Sequence, residues 1–176
     1  MKFVQLLRKS NQHLRKHPPA SAQKISGDFF TSGAAWMHEQ LHPLENDRSR
    51  AFNRSVNYAF YGFMKYAVSL LAFGVSFFIL LRVNVWLTPL AVPVFYFFEI
   101  HFLFLFPLLI DGSPQPIRSS IKATYRTGVF SALFNVMPIG IYMMFGLLNF
   151  RDPLRNWYAG CYSILTWYND EIRART

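Results

Sequence analysis

Two ionisable side chains lie near the middle of a long apolar stretch. Glu99 and His101 are separated by one residue within a run, from about residue 85 to residue 110, that carries no other acidic residue, lysine, arginine or histidine. Such groups inside an apolar helix mark proton relays or sites for a cofactor or ion, or they hydrogen-bond neighbouring helices together. Residues two apart on a helix point about 200° apart, so this pair cannot chelate one ion together. Both hypotheses, chemical relay and polar contact between helices, remain open.

A carboxylate at this depth in a bilayer needs a polar partner. Counted at about 1.5 Å per residue from the ends expected to be cytoplasmic, Asn135 in the next apolar stretch comes to a depth similar to that of Glu99. Ser69 and the reach of Lys65 are not far off. The sequence therefore predicts Asn135 as the first partner of Glu99, and His101 is expected to contact a neighbouring chain.

Residues 38–42 form a second pattern that could do chemistry. His38, Glu39 and His42 match H-E-x-x-H, in which a helix aligns two histidines for zinc and the glutamate serves as general base. These five residues resemble the motif of zinc metalloproteases, which would imply a hydrolase. Pro43 follows directly, however, and no third ligand is identifiable. The competing interpretation is a short amphipathic helix from residue 34 to residue 42 that touches the membrane or a partner, and no metal site is assigned.

Three long apolar stretches must position these residues. Hydrophobic residues make up 52% of the chain and aromatic residues 18%, while charged residues account for only 15%. The stretches cover about 58–83, 85–110 and 127–150, and each exceeds the roughly 20 residues that cross a hydrocarbon core. Prolines 89, 93 and 107 should bend the second one. The sequence predicts an all-α integral membrane protein with three transmembrane helices and flanking amphipathic interfacial helices.

The positions of lysine and arginine predict an orientation. Ten of the 18 precede or begin the first stretch, and three more lie between the second and third. This places the N-terminus in the cytoplasm of a multi-pass cell (inner) membrane protein, with the C-terminus on the opposite side. Residues 1–56 are then a basic cytoplasmic segment, residues 57–150 the transmembrane region, and residues 151–176 an aromatic-rich C-terminal helix and tail.

Both flanking segments show helical amphipathicity. From residue 2 to residue 16, apolar side chains gather on one side of a helix and basic ones on the other, the pattern of a helix that binds anionic lipid headgroups. The expected membrane-surface residues are Lys2, Lys9, Arg15 and Lys16. After Asp152 and Pro153, a suitable helix start, a second helix presents an apolar face that either lies on the outer interface or contacts a partner. The expected contact residues are Trp157, Tyr158, Leu165 and Tyr168.

These patterns favour one function and leave two alternatives. The chain lacks a phosphate-binding glycine loop, a CxxC motif and a G-x-S-x-G nucleophile. Three spans leave apolar surface that lipid or other membrane subunits must cover. We therefore expect a noncatalytic accessory or assembly subunit of a larger membrane complex, with no nucleic-acid partner. The alternatives are a membrane enzyme or proton-coupled element that uses Glu99 and His101 beside a lipid-soluble cofactor, such as a quinone or carotenoid held with a partner, and the zinc protease.

Overall fold

The computed structural model describes residues 3–17, 29–41, 51–146, 148–149, 152 and 154–175, and this part of the chain contains helices and no strand. Short 3₁₀ segments lie at Val85–Leu90, Ile100–Phe102 and Arg173–Arg175. The α-helices are α1 (Phe3–Lys16), α2 (Phe29–Leu41), α3 (Tyr58–Val83), α4 (Ala91–Glu99), α5 (Leu105–Ile110), α6 (Pro116–Thr127), α7 (Val129–Gly146) and α8 (Arg155–Glu171).

Three helical stretches are long and apolar enough to cross a membrane, as the sequence predicts. The first coincides with α3, and the third, α7, ends at Gly146 rather than at residue 150. The second, Val85–Ile110, is broken by two 3₁₀ segments. Pro89 lies in one of these segments, while Pro93 and Pro107 each lie in the first turn of an α-helix, where a missing N–H costs nothing. The second stretch is therefore interrupted at two places rather than one continuous α-helix.

The segment between the second and third stretches, for which the sequence predicted no helix, forms α6. Pro116 begins α6 at a position that tolerates proline, and Gly128, with φ +89°, ends it. Ser120 Oγ donates to the carbonyl oxygen of His101 at 2.8 Å, and Thr124 Oγ1 donates to that of Ile100 at 2.7 Å. These two hydroxyls satisfy carbonyls at the break between α4 and α5, so α6 stabilises the bend.

The apolar side of α1 packs against α8 of the same chain. Leu6, Ser10 and Leu14 are buried, and the hydroxyls of Ser10 and Ser163 lie 2.8 Å apart in a hydrogen bond. Protein, rather than lipid, therefore covers the face that the sequence analysis placed on a membrane surface. The basic residues on the other side of α1, Lys9, Arg15 and Lys16, are exposed, while Lys2 lies outside the described residues.

Helix α8 runs antiparallel to α7 and back toward the end of α5. Near its start, Asn156 donates to the carbonyl oxygen of Tyr142 at 3.1 Å, close to the end of α7. Near its end, the hydroxyl of Tyr168 donates to Asp111, just after α5, at 2.6 Å. The terminal segments thus pack onto the long apolar helices, and α8 lies in the core with Trp167 fully buried.

A two-helix hairpin extends from this packed region. No residue from Leu70 to Leu90 is buried, and this part of α3 packs mainly against α4 and the 3₁₀ segment before it, as in the ring contact of Phe73 with Phe95. Its surface is apolar on all sides, which is typical of a helix that meets lipid. At the tip, Trp86 is 86% exposed beside Arg82 and Asn84. Tryptophan and arginine at a hairpin tip match the composition of a membrane–water interface.

Candidate functional site

A buried ion pair links the first two apolar stretches. Lys65 Nζ lies 2.8 Å from Glu99 Oε1, and the two side chains are 10% and 12% exposed. Ser69 Oγ approaches the other carboxylate oxygen at 3.5 Å, and the Lys65 ammonium lies 5.3 Å from the centre of the Tyr66 ring. The prediction that Asn135 is the first partner of Glu99 is wrong, because Glu99 forms its ion pair with Lys65.

Asn135 and His101 each use a backbone carbonyl of their own helical stretch. Asn135 Nδ2 donates to the Ser131 carbonyl oxygen at 2.7 Å. His101 Nδ1 lies 2.7 Å from the Phe97 carbonyl oxygen, and its ring stands edge-on to those of Phe97 and Tyr125. The structure therefore does not bring Glu99, His101 and Asn135 together as one site. His101 is partly exposed.

The ion pair forms part of the wall of a cavity of about 240 Å³ among α2, α3, α4, α7 and α8. Most of the remaining wall is apolar. Aromatic rings come from all of these helices except α7, which contributes Met143 and Met144. The aromatic residues of the cavity wall include Phe29, Phe30, Trp36, Tyr66, Tyr96, Trp157 and Tyr158.

Close approaches between helices shape this cavity. At Gly62 a Cβ atom would overlap the Phe30 ring of α2, and at Gly140 it would overlap the Tyr96 side chain of α4. The two glycines therefore let aromatic side chains lie directly against α3 and α7. Gly74, in the hairpin, has open space around it. Glycine is therefore required by close helix contact at Gly62 and Gly140, but not at Gly74.

Cys161 on α8 also lines the cavity and is the only cysteine in the chain. Burial raises the pKa of its thiol to about 12, although the nearby Lys65 ammonium acts in the opposite direction. A thiol with so high a pKa is protonated at neutral pH and is a poor nucleophile. Cys161 therefore acts here as a small apolar wall residue.

The four aromatic or apolar residues expected to contact a partner face inward. Leu165 and Tyr168 are buried in the core, and Trp157 and Tyr158 are partly buried at the cavity. Tyr158 packs against Trp36 of α2, with ring centres 4.9 Å apart. The amphipathic pattern of α8 is therefore matched by helices of the same chain.

The C-terminal end of α8 is fixed by charged groups. Asp111 accepts a hydrogen bond from Tyr168 and forms an ion pair with Arg173 at 3.4 Å. Burial, followed by this hydrogen bond and the carboxylate charge, raises the pKa of the Tyr168 hydroxyl well above its usual range. These contacts anchor the chain end beside the loop that follows α5.

Only part of the H-E-x-x-H pattern can be placed. His38 and Glu39 lie on α2, and the His38 ring stands 5.5 Å from that of Phe52. His42 lies outside the described residues. Within the described ranges, no three histidine, cysteine, aspartate or glutamate side chains come close enough to hold a metal ion.

Comparison with known proteins adds no functional assignment. No family model, curated protein or solved structure matches this chain.

The buried ion pair and its cavity are features that the sequence patterns did not predict. A usable signal was present, because Lys65 is the one cation deep in the first stretch and Glu99 is the one acid in the second. Charges buried in adjacent membrane helices usually pair with each other.

Proposed function

We propose that this protein is a noncatalytic accessory or assembly subunit of a membrane complex. The observation that carries the proposal is the hairpin from Leu70 to Leu90, in which no residue is buried. At 26 residues, α3 is about 39 Å long, enough to cross a hydrocarbon core of about 30 Å. A small chain that exposes so much apolar surface needs lipid and neighbouring helices to cover it.

A second apolar surface, on α7, suits a partner helix. Phe130, Phe134 and Phe145 are each at least 67% exposed, and Ile141 adds to the same side of the helix. Because these positions recur at helical spacing, they form one stripe along α7. Aromatic stripes of this kind pack well against neighbouring transmembrane helices.

The intramembrane polar groups support a structural role rather than a reactive one. Glu99 pairs with Lys65, and Asn135 binds a carbonyl of its own helix. The Lys65 ammonium and the Glu99 carboxylate, 2.8 Å apart, join α3 to α4 through a buried contact. This favours polar contact between helices over the proton-relay hypothesis.

We also propose that the N- and C-terminal helices lie at the same side of the membrane. The start of α3 and the end of α5 share a buried cluster that includes Tyr58 and Leu109. Asp111, just beyond α5, holds Tyr168 and Arg173 near the chain end. The chain end therefore lies at the end of the bundle where α3 begins. The distribution of lysine and arginine instead predicted that the two termini lie on opposite sides of the membrane.

Helix α1 belongs to the same end. Lys9 Nζ lies 3.9 Å from Asp170 Oδ2, and Ser10 binds Ser163, so α1 runs antiparallel to α8. Trp86 marks the opposite end of the hairpin. With basic residues of α1 exposed, we assign this shared end to the cytoplasm, where anionic lipid attracts lysine and arginine.

Mild extraction of the tagged full-length protein from its native membrane tests the accessory role. Native mass spectrometry should show a complex with another subunit in fixed stoichiometry. Phe134→Ala with Phe145→Ala should weaken that complex, whereas Leu71→Ala, on the part of the hairpin that we expect lipid to cover, should leave it intact. A monomer or homo-oligomer of the unsubstituted protein, with no other subunit, would overturn the proposal.

A further inference from the structure

The cavity beside the ion pair has hydrogen-bonding groups that the chain does not use. Lys65 has three N–H donors, and its one hydrogen-bonding partner in the described structure is Glu99. The hydroxyls of Tyr66, Tyr96 and Tyr158 form no hydrogen bond with any part of the chain that the structure describes, although all three residues line the cavity. These hydroxyls are not among the sealed polar atoms that lack a partner, so they are accessible in the cavity, where a molecule from outside the chain can accept hydrogen bonds from them.

The charge of the wall restricts that acceptor. Lys65 and Glu99 neutralise each other at 2.8 Å. An anionic or cationic head would leave one net charge in a largely apolar cavity, and such a charge is costly. An uncharged head with carbonyl or hydroxyl oxygens accepts from the unused donors without that cost. The aromatic rings and methionines of the remaining wall suit hydrocarbon.

The size and opening of the cavity indicate how such a molecule would lie. Its 240 Å³ equals about eight water molecules at roughly 30 Å³ each, enough for a head group but not for a long chain. Phe29 and Met144 both line the cavity and are 50% and 58% exposed, so its mouth lies between α2 and α7. A hydrocarbon tail would leave there, beside the apolar outer surface of α7.

We infer that this cavity binds the uncharged, oxygen-bearing head of a membrane amphiphile, whose tail passes between Phe29 and Met144 into the bilayer. Lys65 and the tyrosine hydroxyls donate to the head, and Glu99 keeps the wall neutral. This site goes beyond the proposed accessory function and does not depend on a partner subunit.

Photocrosslinking in lipid tests the inference. The full-length protein is placed in phosphatidylcholine nanodiscs containing a trace of monooleoylglycerol with a diazirine next to its head, and the crosslinked peptides are identified by mass spectrometry. Unlabelled monooleoylglycerol, oleate and oleylamine, which share one tail, are then added as competitors. Crosslinks should concentrate on the cavity side of α8, between Trp157 and Leu165. They should saturate, and the neutral competitor should reduce them far more than the two charged ones.

Tyr158→Phe should weaken binding about fivefold, the effect of one hydrogen bond. Tyr162→Phe, on the same helix but stacked on His13, is the matched control and should leave binding unchanged. Both substitutions remove a single oxygen atom, so folding should be preserved, and circular dichroism checks this. Labelling that rises in proportion to the lipid fraction, equal competition by oleate, or crosslinks confined to the outer surface of α3 would each overturn the inference.

Discussion

Removal of one member of the Lys65–Glu99 pair should destabilise the protein strongly, whereas removal of both should cost little. At 2.8 Å the gross attraction is about 6 kcal/mol for an effective dielectric constant of about 20. Desolvation offsets much of it, but a charge left without its partner in a site only about 10% exposed costs about 3–5 kcal/mol. We expect Glu99→Gln and Lys65→Met each to lower the free energy of unfolding by that amount.

The double variant separates pairing from packing. Lys65→Met with Glu99→Gln leaves no net charge behind, so its unfolding free energy should lie within about 1 kcal/mol of the unsubstituted protein. Arg82→Met is the matched control, because this exposed basic residue lies on the same helix and should change stability by less than about 0.5 kcal/mol. Unfolding by dodecyl sulfate in mixed micelles, followed by circular dichroism, measures the four variants and the unsubstituted protein. Single variants that cost under about 1 kcal/mol, or a double variant that costs their sum, would refute the pairing.

Three further sets of measurements test other contacts. Gly140→Val should destabilise the fold by about 1–3 kcal/mol, because its side chain must displace a packed ring, whereas Gly74→Val in open space should cost much less in the same unfolding assay. Cys161, with its pKa raised by burial to about 12, should react with a maleimide at pH 8 at least ~100-fold more slowly in the folded protein than in denaturant. The protonated Cys161 thiol makes its full contribution to the free energy of unfolding below about pH 9, and this contribution should decline as the pH rises toward 12. Cys161→Ala should remove this part of the loss of stability at alkaline pH. Tyr168→Phe removes a hydroxyl that donates to a carboxylate and should cost about 1.5–3 kcal/mol, whereas Tyr162→Phe should cost less than about 0.5 kcal/mol.

The apolar stretches were predictable because length and composition alone set the requirement for crossing a bilayer. The bounds of α3 match the first stretch, and the bends of the second follow from proline chemistry. Helix α6 was missed although Ile117, Ile121 and Tyr125 recur at the four-residue spacing of a helix, because the segment is short and rich in serine, threonine and basic residues. Its stability comes from hydroxyl groups that bind the carbonyls at a helix break, a contact between distant residues.

The site was predictable in its parts and not in its assembly. Glu99 was identified from its cost in an apolar helix, but depth counting favoured Asn135 over Lys65, since a long flexible side chain can reach several levels. The amphipathic patterns of α1 and α8 were also correct as helices. An apolar helix face looks the same in sequence whether lipid or protein covers it, so their packing against each other could not be predicted.

Topology is the most direct test of how this chain sits in a membrane. In a Cys161→Ala background, single cysteines at Trp86, Lys9 and Asp170 are treated with a membrane-impermeant maleimide in sealed vesicles of known orientation. Trp86→Cys should react from one side only, and Lys9→Cys and Asp170→Cys, which lie beside each other, should both react from the other. Reaction of Asp170→Cys from the same side as Trp86→Cys would contradict a hairpin anchor with both terminal helices at one membrane face.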